Sequence, residues 1–353
     1  MSNNTKISTQ SYYGEYHGHK PRHLKIVRQF ILPPYTHTHK NKKTRIYDVQ
    51  VHDQLRREKD SSIMFLAGDS SLDNKYWFDD TVNAIEPYSK FLSPSYMKPD
   101  IAYWITKECR KRKLSFAGSL NCSVEESTVG NRWCGSLLPQ DRFIRDNIRS
   151  DDVLVVSVGG NDIALKPAPC TIVNMLGLIC CTPTFMIEHG DGCPLPCDDC
   201  CCGCGFGCLS TLCACPPCGG YFAHLFRVRI QNYLRRLTAK TKPRAILISM
   251  IYYPDEKATG SWADGTLSIL GYNSNPQKLQ LLIRKMFQVA TSRISVPGTE
   301  VIPVPLYEAL NGKDTRDYCA RVEPSARGGE KIAKLILDRF SRGHDVDDVA
   351  MKR

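Results

Sequence analysis

The sequence has no long apolar run. No stretch of 18 or more apolar residues occurs among its 353 residues, which argues against a membrane-spanning helix. Residues 1–20 are polar and lack the apolar core of a secretory signal peptide. Apolar residues make up 42% of the chain, a share that is typical of a folded globular protein. We therefore expect a globular protein of the cytoplasm.

The chain also lacks a recognisable nucleic-acid-binding motif, although its net charge is +11. Much of the positive charge lies in residues 17–45, which also contain five histidines. A basic run can mark a partner that is nucleic acid or an anionic membrane surface. Because no RNA- or DNA-binding motif accompanies it, we expect no nucleic-acid partner. We interpret residues 1–60 as a basic, partly disordered arm that makes at most weak contact with anionic membranes.

Cysteine is scarce outside one segment. Thirteen of the 17 cysteines lie between Cys170 and Cys218, and Cys-x2-Cys spacings recur among them. Thiolates at this spacing suit tetrahedral zinc. We therefore expect a structural zinc ion there, and no cofactor for catalysis. The candidate zinc ligands are Cys193, Cys197, Cys200 and Cys204.

Three other states of these cysteines compete with zinc. Disulfides are one, but they need an export route that the sequence does not reveal. S-acylation is another, since Cys180 and Cys181 border the apolar residues 172–179. The third is a set of free, buried thiols. The composition of the segment does not choose among these states.

Apolar runs with the length of strands alternate with helical patterns. Five such runs occur, at residues 63–67, 114–120, 153–158, 245–250 and 301–304. Helical patterns fall between them, and such alternation implies a parallel sheet covered by helices on both faces. We therefore predict a three-layer α/β/α sandwich whose five strands lie in the order 2-1-3-4-5. The predicted domain spans residues 61–343, with a cysteine-rich insert at 165–220 and a tail at 344–353.

Two polar motifs follow strands of this predicted sheet. Gly-Asp-Ser-Ser-Leu at 68–72 follows the first strand, and Gly-Gly-Asn-Asp at 159–162 follows the third. Ligands of such sheets bind at the carboxyl ends of the strands. A serine at a strand-to-helix turn exposes its hydroxyl and places its amide near a helix N-terminus. In this order, the motifs resemble those of the SGNH (GDSL) hydrolase family over residues 61–340.

The resemblance implies a flavodoxin-like fold of the SGNH hydrolase type and the hydrolysis of esters. It makes Ser70 the nucleophile, and it makes the Ser70 N–H and the Asn161 side-chain amide donors to the oxyanion. The family's third donor is a backbone N–H after the second strand, usually that of a glycine. No glycine stands there in this chain, and Glu126 is the expected donor. The expected substrate is a small-molecule ester of a lipid or a carbohydrate.

The chain departs from the family before its last helix. The family carries Asp-x-x-His there, followed by Pro-Ser, whereas this chain has Ala320 and Glu323 before its Pro-Ser. In one interpretation Glu323 is itself the base for Ser70. In a second, His224 or His344 supplies the base. In a third, the site is catalytically inactive and the protein is an SGNH-like binding or scaffold protein.

The insert follows Asn161 directly, between the third strand and the next helix. A loop at this place flanks or roofs the cleft at the strand ends. We therefore expect the insert to act as a lid or as a substrate-selecting cap. Three aromatic residues after the fourth strand, Tyr252, Tyr253 and Trp262, are further candidates for the cleft wall, and equally for ordinary packing under a loop.

Overall fold

A computed structural model describes residues 6–9, 50–132, 135–192, 194–195 and 207–350 of the chain, with residues 343–350 described by their backbone alone. A five-stranded, fully parallel sheet forms its centre. The strands are β1 (Ile63–Gly68), β2 (Gly118–Asn121), β3 (Val153–Ser157), β4 (Ala245–Met250) and β5 (Glu300–Pro305). Their order in space is β2-β1-β3-β4-β5, which confirms the predicted strand order and the predicted three-layer α/β/α sandwich.

Helices connect the strands. Those that bear on the site and the cores are α1 (Ile101–Lys111), α2 (Pro139–Asn147), α3 (Gly160–Ala164), α4 (Pro169–Leu176), α5 (Gly219–Ala223, His224–Arg229 and Ile230–Leu237), α6 (Asp264–Ile269), α7 (Pro276–Val289) and α8 (Ala326–Ala350). The middle part of α5 has π-helical hydrogen bonding. Short helices lie at Tyr88–Phe91, Thr184–His189 and Gly207–Ser210. Within the described residues, no helix is long and apolar enough to cross a membrane.

Strands β1 to β4 are buried on both faces, and alternate side chains point into two separate cores. On β1, Met64 and Leu66 pack in the core that α1 and α8 cover. Phe65 and Ala67 pack in the core that α2, α5 and α7 cover. A strand that is buried on both faces is apolar at nearly every position, so it appears in the sequence as a continuous apolar run. This is why the strands could be predicted from the sequence.

Part of the N-terminal segment packs on the domain. Residues 50–55 are helical, and Val51 and Leu55 are fully buried in the core. Ile7 is also buried and pairs with Leu92 in a short parallel ladder. The predicted arm therefore contributes to the core at these places, while residues 10–49 lie outside the described residues and the domain limits stay predictions.

The segment after β3 contains more regular structure than its cysteine content suggests. α4 runs into a π-helical stretch at Gly177–Cys181, and Asp191–Gly192 pairs antiparallel with Ala214–Cys215. α5 then returns the chain to the sheet. The predicted zinc ligands Cys193, Cys197, Cys200 and Cys204 all lie outside the described residues. At the C-terminus, α8 continues into the predicted tail.

Candidate active site

Ser70 lies in the turn that follows β1, and Asp69 holds that turn against β3. The Asp69 carboxylate accepts hydrogen bonds from the N–H and hydroxyl of Ser71 at 3.0 and 2.6 Å, and from the Gly159 N–H at 3.1 Å. Gly68 has φ of +137°, and a Cβ there would overlap the Ser157 carbonyl oxygen. The close approach of β1 and β3 therefore requires the glycine that precedes Asp69.

Asn161 lies in the first turn of α3, at the carboxyl end of the neighbouring strand β3. Its side-chain nitrogen donates to the Ser127 carbonyl oxygen at 3.1 Å. An amide nitrogen has two protons, so one proton remains for a second acceptor. The next residue, Asp162, accepts from the N–H groups of Val129 and Gly130 at 2.7 and 3.0 Å. These bonds fix the loop after β3 against the loop after β2.

A buried arginine that the sequence analysis missed holds the same loops. The Arg132 side chain is fully buried and forms an ion pair with Asp141 at 2.9 Å. Its guanidinium also donates to the carbonyl oxygens of Gly68 and Thr128 at 3.1 and 2.9 Å. Arg132 thus connects the turn that carries Ser70 with the loop after β2, and no sequence motif surrounds it.

Glu126 lies in that loop with φ of +58°, in the left-handed region that glycine prefers. Its carboxylate turns toward Lys166 and forms an ion pair at 3.1 Å. Within the described residues, neither the Glu126 N–H nor the Ser70 N–H has a protein acceptor. The backbone conformation at Glu126 is therefore the one a glycine would adopt, although the residue is not glycine.

Glu323 faces Ser70. The Ser70 hydroxyl lies 3.4 Å from Glu323 Oε1, and both residues are buried, with 7% and 4% of their surfaces exposed. The second carboxyl oxygen, Oε2, is buried and has no hydrogen-bond partner among the described residues. Arg327, which could have drawn Glu323 away, pairs with Asp314 at 2.8 Å instead. The structure thus brings together Ser70 and the residue at the family's histidine position.

The surroundings of Glu323 favour its protonated form. Burial raises the pKa of Glu323 well above its ordinary value, and the nearby carboxylates of Asp69, Asp73 and Glu126 raise it further. The hydrogen bond with Ser70 lowers the pKa of Glu323, but by less than burial raises it. Burial likewise raises the pKa of the neighbouring Glu125 to about 10. Both groups therefore hold protons more tightly than carboxyl groups in water.

The loop that carries Glu323 is fixed by Arg321, a second buried arginine that the sequence analysis missed. Arg321 has φ of +58° and a fully buried side chain. Its guanidinium donates to the Asp264 carboxylate at 2.9 Å and to the Asp255 carbonyl oxygen at 3.1 Å. The Tyr252 hydroxyl also donates to the Val322 carbonyl oxygen at 2.6 Å. These bonds hold the loop that carries Glu323 against the residues after β4 and against α6.

A cavity opens beside these residues. It encloses about 930 Å³, including solvent at its mouth, and Ser70, Asn161 and Glu323 line one side of it. Most of its remaining wall is apolar and comes from α4, α5, α6 and α7. Tyr252 and Trp262 line it as well, whereas Tyr253 stacks on Tyr307 at 5.3 Å. The elements on either side of the cysteine-rich segment therefore form part of the cleft wall.

The two histidines considered as alternative bases are placed differently. His224 is fully buried in α5 and does not line the cavity. His344 lies in the part of α8 described by its backbone alone. Among the side chains that the structure describes, Glu323 is therefore the titratable group that hydrogen-bonds to the Ser70 hydroxyl.

The described cysteines of the insert are not all in one chemical state. Cys170, in α4, is disulfide-bonded. Cys180, Cys181 and Cys215 are exposed and carry no disulfide. Within the part of the chain that the structure describes, no cluster of His, Cys, Asp and Glu is arranged to hold a metal ion. The predicted zinc ligands themselves are not described, so the zinc site stays a prediction.

Comparison with known proteins gives distant structural neighbours only. No family model matches the sequence, and no curated protein matches it either. A putative GDSL-like lipase from Parabacteroides merdae is 12% identical, with a TM-score of 0.39 over 79% of this chain and 95% of that one. A lipase/acylhydrolase from Enterococcus faecalis is 11% identical, with a TM-score of 0.38 over 79% and 95%.

An acetyl xylan esterase from Geobacillus stearothermophilus is 14% identical, with a TM-score of 0.38 over 79% of this chain and 94% of that one. These neighbours differ in the substrates their names state, and their identities are too low to transfer an activity. The fold assignment rests on the strand order of this chain and on the position of both motifs at strand ends.

Proposed function

We propose that this protein is a serine ester hydrolase in which Ser70 is the nucleophile and Glu323 is the general base. The observation that carries the proposal is the 3.4 Å separation of the Ser70 hydroxyl and Glu323 Oε1 in a buried site. A base must lie within hydrogen-bond reach of the proton it removes. Catalytic hydrogen bonds are often slightly longer in structures without substrate than in the substrate complex. No residue is then needed at Ala320, because a carboxylate has no tautomer to fix.

The reaction proceeds by acyl transfer. The Glu323 carboxylate takes the Ser70 proton while Ser70 Oγ bonds to the ester carbonyl carbon. The oxyanion accepts from the Ser70 N–H, the free Asn161 amide proton and the Glu126 N–H. Glu323 then returns the proton to the departing alcohol, which leaves an acyl ester on Ser70. Water hydrolyses this ester in the same way, with Glu323 again as the base.

The raised pKa of Glu323 suits this role. A glutamate in water has a pKa of about 4.3 and is a weak base toward a hydroxyl. Burial makes the Glu323 carboxylate more basic, which brings it closer to the proton affinity that general-base catalysis requires. Because the pKa is raised, Glu323 is deprotonated in a smaller fraction of the enzyme at neutral pH. Turnover should therefore be slow at neutral pH and faster in alkali.

The alternative is a catalytically inactive binding protein with the same fold. The raised pKa favours it as well, since a protonated Glu323 is not a base. Turnover of p-nitrophenyl esters and labelling by a fluorophosphonate separate the two. We expect turnover and the fluorophosphonate adduct in the parent protein, and neither of them in Ser70→Ala. Ser150→Ala, which changes an exposed serine, is the control and should behave like the parent. A parent without turnover or adduct would support the binding protein.

The double variant Ala320→Asp with Glu323→His adds an independent test. It rebuilds the Asp-x-x-His pair of the resembled family at the positions that this chain has changed. A gain of ester hydrolysis near neutral pH would mean that Ser70 and Asn161 remain arranged for acyl transfer. No gain in a folded double variant would count against this arrangement.

A further inference from the structure

The cavity beside Ser70 suits one part of an ester better than the others. It meets the polar residues at Ser70, Asn161 and Glu323, and away from them its wall is almost wholly hydrocarbon. Its empty space measures about 930 Å³ when the open solvent at its mouth is included. An acetyl group at Ser70 would contact little of this apolar wall. A larger apolar group is required to cover it.

Helix α7 supplies one continuous wall. Leu279, Leu282, Ile283 and Met286 follow one another at helical spacing, line the cavity and are buried. Leu282 and Met286 also line a second, smaller cavity of about 280 Å³ that Ser70 does not reach. These two side chains therefore lie where the main cavity adjoins the second one, away from the reacting hydroxyl.

The cysteine-rich insert supplies the facing wall through its flanking helices. Met175 of α4 and Leu178 just after it line the cavity, and so do Phe222 and Phe226 of α5. All four are buried. These helices begin and end the insert, so the two ends of the insert adjoin the cavity wall. The loop before α6 adds Trp262 to the same surface.

We infer that this cavity binds the hydrocarbon chain of a fatty-acyl ester, with the carbonyl carbon at Ser70 and the chain running toward α7. This inference rests on the proposed function and names its substrate class. Along most of the cavity the described wall offers no charged or hydrogen-bonding partners, so a sugar ring would lose its bonds to water there without replacement. An acyl chain loses nothing polar and gains from every methylene that leaves water.

The experiment is a chain-length series on the full-length protein. p-Nitrophenyl acetate, butyrate, octanoate and decanoate share one leaving group and differ only in the acyl chain. Each buried methylene contributes a factor of about four to kcat/KM, so we expect the octanoate to exceed the acetate by at least about 100-fold. Equal or better turnover of the acetate would overturn the inference while leaving the proposed function intact.

A pair of variants tests where the chain lies. Leu282→Trp fills the cavity near the second one, and we expect the octanoate-to-acetate ratio of kcat/KM to fall at least about tenfold. Gln288→Trp places the same ring on the exposed side of the same helix and should keep the parent ratio. An unchanged ratio in a folded Leu282→Trp variant would overturn the assignment of the chain to this cavity.

A binding measurement keeps the inference testable if no ester is hydrolysed. Dansyl-undecanoic acid becomes fluorescent when its chain enters an apolar site, and decanoic acid displaces it. We expect saturable binding by the parent and by Ser70→Ala, and loss of binding in Leu282→Trp but not in Gln288→Trp. Binding without hydrolysis would support the cavity as the site of the acyl chain and would contradict the proposed hydrolase function. Absence of both would overturn the inference and the proposed function together.

Discussion

The Ser70 hydroxyl lies 3.4 Å from Oε1 of Glu323, although the two residues are 253 positions apart in the chain. The sheet produces this contact, because Ser70 follows β1 while Glu323 precedes α8, which packs against α1 on one face of that sheet. The contact is buried, and one oxygen of Glu323 has no partner among the described residues. A buried carboxyl group with an unpaired oxygen lowers the stability of the fold, and such groups are typical of catalytic sites.

Replacing Glu323 with Gln should stabilise the protein in alkali. The folded-state pKa of Glu323 is raised, so the folded state binds its proton more tightly than the unfolded chain does. Stability therefore falls as pH rises from the unfolded pKa, about 4.3, toward the raised folded pKa. Glu323→Gln removes this loss without changing the shape of the side chain. We expect a gain of about 1 kcal/mol or more above neutral pH, because each unit of pKa shift corresponds to about 1.4 kcal/mol.

The measurement is the free energy of unfolding in urea at several pH values. The exposed Glu300 provides the matched control, and Glu300→Gln should leave the pH dependence as in the parent. A Glu323→Gln variant whose stability falls with pH as steeply as that of the parent would mean that Glu323 ionises as freely in the fold as in water.

Glycine at position 126 should be tolerated and should stabilise the fold. Glu126 has φ of +58°, which costs a residue with a Cβ more than it costs glycine. We expect Glu126→Gly to raise the free energy of unfolding by up to about 1 kcal/mol and to keep the activity, since only the backbone N–H is used. Thermal denaturation and kcat/KM are the measurements.

Glu126→Ala is the control for this change. It removes the carboxylate and the Lys166 ion pair but keeps the Cβ. We expect it to be active but less stable than Glu126→Gly. Loss of activity in both variants would assign the role to the carboxylate rather than to the N–H.

Arg321 is expected to position Glu323 without touching the substrate. Lysine in its place keeps the charge but cannot reach Asp264 and the Asp255 carbonyl oxygen together. We expect Arg321→Lys to cost about 1–3 kcal/mol of stability and to lower kcat more than it raises KM. A looser loop admits water to Glu323, so the alkaline rise of activity should move to lower pH.

The exposed Arg316, which pairs with Asp314 before the same loop, gives the control. Arg316→Lys should change neither the stability nor the pH profile by a measurable amount. If Arg321→Lys loses stability but keeps the pH profile and kcat of the parent, Arg321 serves the fold alone.

Gly68 should be intolerant of any side chain. It combines φ of +137° with backbone contact to Ser157, so a Cβ has neither a favourable conformation nor space. We expect Gly68→Ala to cost about 3 kcal/mol or more. Gly260 has φ of +77° with nothing near its Cβ position. Gly260→Ala therefore measures the loss of stability that comes from the backbone conformation without a steric overlap. Equal losses in the two variants, measured by urea unfolding, would refute the role of the Ser157 contact.

The sequence was sufficient to predict the sheet order and the placement of Ser70 and Asn161 at the same edge of the sheet, where both line one cavity. Buried parallel strands read as apolar runs, and residues directly after them converge because parallel strands end at one edge. Glu323 could be located because the Pro-Ser pair of the resembled family follows it. Each of these predictions rests on local patterns.

Other parts of the site depend on contacts between distant segments. Arg132 and Arg321 are fully buried, but their positions in the sequence resemble those of ordinary surface arginines. The left-handed backbone of Glu126 is set by the loop around it and not by its residue type. The cavity wall combines α4, α5 and α7 across more than a hundred residues, so no local pattern indicates its size.

The pH dependence of kcat/KM for p-nitrophenyl octanoate, in the parent and in Glu323→Gln, tests the central assignment most directly. We predict that the parent activity rises with pH, with a midpoint well above the ordinary glutamate value of about 4.3. Glu323→Gln should lose about 100-fold or more and should lack this rise. A folded Glu323→Gln that keeps the parent rate and profile, while Ser70→Ala is inactive, would contradict the account.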